Sequence, residues 1–83
     1  MWLLPGWPVV RRETLTRIRD KFTSQGIDPA IAESLAVTIL SAVEGAVVIA
    51  QAQRSTRPVE EVGARLAELV ALHLPAGPDP SAP

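Results

Sequence analysis

Apolar residues recur every three to four positions along most of the chain, and proline and glycine cut this pattern into three runs. The first run carries Val10, Leu15, Ile18 and Phe22 on one face, with Arg11, Arg12, Glu13, Arg17, Arg19, Asp20 and Lys21 around the rest. It predicts a helix over 9–25, stopped by Gly26 and with Lys21 near its carboxyl end, where a cation favours the helix dipole. Asp28-Pro29 predicts the start of the next helix, an acceptor at the cap followed by proline at the first helical position. No proline interrupts 30–53, so a second helix over 29–53 would run about 36 Å. After a polar turn, Pro58 opens a third helix over 58–74, with Val59, Val62, Leu66, Leu69 and Val70 as its seam. The fold class is therefore all-α, with no run of alternating β-branched residues to suggest a strand.

The second run differs from the other two. Leu35, Ile39, Ala42, Ala46 and Ile49 make one stripe, and Ala36, Leu40, Val43, Val47 and Ala50 make the next. Ser34, Thr38, Ser41, Gly45 and Val48 make a third, of mostly small residues. More than half of the circumference wants burial, which calls for packing partners on two sides. Outside the helices, residues 1–8 read as an irregular apolar segment broken by Pro5, Gly6 and Pro8, and 75–83 as a disordered proline-rich tail.

Composition narrows the options. At 83 residues the chain holds one domain at most, and without cysteine it has neither disulfides nor thiolate metal sites. So short a chain buries only about 60% of its unfolded surface, which makes oligomerisation the expected route to stability. A net charge of −1 argues against a free-standing nucleic-acid binder, and 47% hydrophobic residues against a disordered chain.

The chemistry of an enzyme is missing. His73 is the one imidazole and falls at the end of the third helix, where its expected role is to engage the last carbonyls. The serines stand in no G-x-S-x-G setting, and there is no phosphate-binding glycine loop, so no catalytic, cofactor or metal residues are assigned. The basic stretch 11–21 holds five positive and two negative side chains, yet no helix-turn-helix precedes it and its apolar positions are needed for packing. It reads as a solvated face.

Glu44 is the odd residue, the one charge in the sixteen residues 35–50. An unpaired carboxylate there is costly, so the expected arrangement is a rim position reaching water or an arginine. The competing role is a ligand contact or proton-sensing group, and Trp2, Trp7 and Phe22 are the aromatic candidates to line a ligand pocket. A different alternative inserts 35–50 into a membrane, with 11–21 on the cytoplasmic side. A span needs roughly 20 apolar residues and Glu44 would sit near its centre, so a cytoplasmic protein without a membrane is preferred.

The run Leu40-Ser41-Ala42-Val43-Glu44-Gly45-Ala46-Val47-Val48-Ile49-Ala50-Gln51-Ala52-Gln53-Arg54-Ser55, followed by Pro58-Val59-Glu60-Glu61-Val62-Gly63-Ala64-Arg65-Leu66, resembles the carboxyl end of TetR-family transcriptional regulators. The branch it is most similar to has the LmrA/YxaF-type C-terminal domain, with a Glu-Gly-Ala core in a long apolar helix, an Ala-Gln-Arg-Ser end and a proline opening the next helix. The resemblance covers roughly 12–74. It implies a homodimer in which the last two helices of each subunit form a four-helix bundle. By position the interface would comprise Ser41, Ala42, Gly45, Ala46, Val48 and Ile49, with Leu66, Leu69 and Val70 from the third helix. It also implies a repressor that responds to a small hydrophobic effector. DNA would be read by a helix-turn-helix domain for which this chain has no room, so the expectation is a fragment, a truncated gene or a late start.

Overall fold

A computed structural model describes residues 6–75 of the chain. They form α1 (Trp7–Ser24), α2 (Pro29–Gln53) and α3 (Arg57–His73), with no strand among the described residues. The bounds of α2 match the expectation from Asp28-Pro29 and the uninterrupted run after it. The first helix begins at Trp7 rather than at residue 9, because Pro8 falls in the opening turn, where its missing N–H would have had no partner in any case. Residues 7 and 8 therefore belong to the helix and not to an irregular segment. The third helix runs one residue earlier at each end than 58–74; Leu74 is already extended, as the residue before a proline prefers. Residues 1–5 of the expected apolar opening and 76–83 of the expected tail lie outside the described residues.

The two turns are built alike. After α1, Ile27 N–H donates to Phe22 O at 3.1 Å and Gly26 N–H to Thr23 O at 3.1 Å. Gly26 stands at φ +94°, so this is a Schellman closure with glycine at the left-handed position. Its hydrophobic complement is present, since Phe22 packs against the cluster that contains Ile27. Two residues on, the Asp28 carboxylate accepts from Ala30 N–H at 3.1 Å and starts α2. After α2, Ser55 N–H donates to Ala50 O at 3.1 Å and Arg54 N–H to Gln51 O at 3.3 Å. Here the left-handed position is Arg54, at φ 52°, the one non-glycine residue with positive φ among those described.

α2 is the central helix. It contacts both neighbours, while no close backbone approach joins α1 to α3. The result is a layer measuring 55 × 29 × 13 Å, with a radius of gyration of 15.6 Å against about 12 Å for a compact chain of this length. Among the described residues those buried are Ile27, Ala32, Leu35, Ala36 and Ala46, three of them alanine. Ile27, Ala32 and Leu35 form the core cluster, closed by Phe22 from α1 and Leu69 from α3. This core sits at the amino-terminal end of α2, where the end of α3 also returns: a Cβ added at Gly26 would lie 3.0 Å from Pro75 Cγ.

Candidate helix-packing interface

The faces of α2 have different fates. One arc meets α1, where Glu33, Ala36 and Val37 face Arg12, Leu15, Thr16 and Arg19 across an open groove of about 220 Å³. Further along, Glu44 meets Arg11, with Arg11 Nε 2.6 Å from Glu44 Oε1. A second arc, with Ala32, Leu35, Ile39 and Ala46, is buried or half-buried under the chain's own helices. The third arc has no cover. Ser34, Thr38, Ser41, Gly45, Val48 and Ala52 are all exposed and recur at intervals of four and three, the 3.5-residue period of a helix–helix seam.

This outer arc is uncharged from end to end. Ile31, Val37, Val48 and Ile49 on or beside it are 41–54% exposed. Its polar groups make few demands of their own, since Thr38 donates its hydroxyl to Ser34 O at 2.9 Å within the helix. Gly45 sits at its middle, and a Cβ built there would meet nothing within 4 Å. The arc thus presents shallow, largely apolar relief to which another backbone could come close.

Of the residues expected at an interface, Ser41, Gly45, Val48 and Ile49 are exposed here, and Ala42 is half-buried at the edge. Ala46 is only 2% exposed, already covered within the chain on the arc of Leu35 and Ile39. Leu66, Leu69 and Val70 are half-buried, and Leu69 packs on the core cluster, so the third helix's seam first serves to hold α3 to α2. Sequence reasoning left Ala52 off the stripe; extending the four-and-three spacing by one turn past Val48 would have found it.

The expected ligand contacts do not come together. Phe22 closes the core near one end of α2, while Glu44 pairs with Arg11, eleven residues from Phe22 along α1 and hence about 16 Å away. Trp7 begins α1, and its side chain lies outside what the structure describes. Neither Phe22 nor Glu44 lines the α1–α2 groove. His73 Nδ1 lies 3.1 Å from Leu69 O, a bond in which the ring donates to the carbonyl one turn back, as expected for a histidine at a helix end. No group of three or more His, Cys, Asp or Glu side chains that could hold a metal occurs among the described residues. By length and composition α2 could cross a membrane, although its one mid-helix charge is engaged with α1.

Comparison with known protein families gives a match. The family model described as transcriptional regulator LmrA/YxaF-like, C-terminal domain, matches residues 12–65, which takes in most of α1, all of α2 and the first half of α3. No curated protein and no solved structure matches the chain.

Proposed function

The chain belongs to the LmrA/YxaF-like C-terminal domain family of TetR-type transcriptional regulators, and from that premise we propose that it is a dimerisation domain which joins two copies through the outer arc of α2. The observation that carries this reading is the uncharged, exposed stripe from Ser34 to Ala52 at helix–helix spacing. In an isologous pair the same patch meets itself, so Gly45 and Ser41, near the middle of the stripe, lie nearest the two-fold axis. Leu66 and Val70, half-buried in the single chain, would flank it and complete a four-helix bundle of two α2 and two α3 helices.

Within a regulator this domain sets the distance between two copies, a role that needs no catalytic residue and fits a cytoplasmic protein. Contact with DNA is assigned to no residue of this chain. A small hydrophobic effector would find apolar contacts at Leu15, Ala36 and Val37 in the α1–α2 groove. The membrane alternative draws support from the length and apolarity of α2, but leaves a carboxylate at the centre of the span.

Sedimentation velocity tests the proposal. The unaltered chain is expected as a dimer recovered without detergent, and Gly45→Leu as a monomer or aggregate, because the added side chain holds the helices apart. An unchanged dimer for that variant removes Gly45 from the crossing, and recovery only in the membrane fraction favours the alternative.

A further inference from the structure

The apolar contact between α1 and α2 is unevenly spread. Buried residues at this contact fall at one end, where Phe22 meets Ile27, Ala32 and Leu35 and where Ala36 is 1% exposed. Toward the other end Val43 and Val47 of α2 remain 39% and 41% exposed, and Val9 and Val10 of α1 46% and 49%. Ala46, the one buried residue in this half of α2, lies on a different arc from Glu44. Past the half-buried Leu15, a polar tie to α2 is the Arg11–Glu44 ion pair, whose facing atoms are covered from solvent although the side chains are 27% and 25% exposed.

We propose that the Arg11–Glu44 pair is a clamp holding the amino-terminal half of α1 against α2, so that breaking it lets that half detach and unwind while the Phe22 end stays packed. The charge that looks misplaced in the apolar run 35–50 then has a reason to be there: it is the counterpart of an arginine on the neighbouring helix. Ion pairs that are partly shielded depend on both partners, because the survivor is left with an unbalanced charge in a place it cannot easily hydrate. The apolar contacts on this half of α1 are too exposed to compensate. Release would uncover the half-buried Leu40, one turn from both Ala36 and Glu44 on the side of α2 that faces α1, giving the domain a second, openable surface distinct from the outer arc. The clamp is a property of the single chain and holds whether or not two copies pair through Gly45.

Hydrogen exchange on the full chain tests it, comparing the unaltered protein with Glu44→Gln and with the double exchange Arg11→Glu/Glu44→Arg. In Glu44→Gln the amides of residues 11–15 should exchange about tenfold faster, the scale of one lost charged contact, while those of 20–24 and 32–36 keep their rates. The double exchange should restore most of the protection. Unchanged rates at 11–15 overturn the clamp. Faster exchange throughout, or outright unfolding of Glu44→Gln, makes the pair a general stabiliser and overturns it equally, as does a double exchange that rescues nothing.

Discussion

Replacing Gly45 by alanine separates a lone helix from a paired one by the sign of its effect. In the isolated chain a Cβ at residue 45 meets nothing within 4 Å, and the backbone is helical on both sides. Alanine there should stabilise the fold by about 0.8–1 kcal/mol, the ordinary difference in helix propensity between the two residues. With a second α2 packed across the same point, the added methyl enters the closest approach of two backbones. Overpacking of that kind costs about 1–3 kcal/mol and outweighs the propensity gain, so the dimer dissociation constant should rise roughly tenfold or more. Gly63 supplies the comparison. It is exposed in α3, a Cβ there also meets nothing within 4 Å, and it lies outside the uncharged stripe of α2. Gly63→Ala should therefore stabilise the chain without weakening association. Sedimentation equilibrium gives the dissociation constants, and urea unfolding well below and well above the wild-type value gives the stabilities. If Gly45→Ala behaves like Gly63→Ala at both concentrations, no helix crosses at Gly45 and the geometric argument for the interface fails.

Other consequences concern the turns and the coupling of folding to association. Gly26→Ala should destabilise by about 1–2 kcal/mol, because alanine at φ +94° is strained and its Cβ would press to 3.0 Å from Pro75 Cγ; an unchanged urea midpoint would contradict this. Arg54→Gly should do the opposite and stabilise by about 0.5–1 kcal/mol, since glycine accepts the left-handed conformation that the arginine now occupies at φ 52°; a lower midpoint would mean that the arginine side chain contributes more than its backbone costs. If pairing and folding are linked, the melting temperature should climb by several degrees over a hundredfold rise in protein concentration, and a concentration-independent melt would count against an obligate dimer.

The parts of the fold that could be read in the sequence are those set by neighbours along the chain. Asp28-Pro29 defines the start of α2 because a side-chain acceptor and a fixed φ act on the same two residues, and Gly26 defines the end of α1 because the Schellman turn needs positive φ. Trp7-Pro8 misleads for a related reason: proline reads as a break, yet in a first turn it has no hydrogen bond to remove. Arg54 gives no local sign that it will turn left-handed, since arginine has no preference for that region. The pairing of Glu44 with Arg11 is a tertiary fact, and residue types alone could say only that a carboxylate in such a run needs a cation or water. The third helix shows a further limit. The spacing of Leu66, Leu69 and Val70 establishes that their face is covered, but it cannot distinguish cover by α2 of the same chain from cover by another copy.

The arrangement of the layer connects these points to the role proposed for the domain. A central helix flanked by two neighbours that do not meet keeps the arc facing away from both uncovered, and in α2 that arc carries no charge. Polar substitutions on it would have cost the single chain nothing, since exposed helix positions tolerate them readily. Its freedom from charge across Ala30, Ser34, Thr38, Ser41, Gly45, Val48, Ile49 and Ala52 therefore fits the proposed pairing of two chains better than the needs of one. A second copy of the same helix meets that requirement, because small side chains at a four-and-three spacing let two such surfaces approach closely when each is the complement of the other.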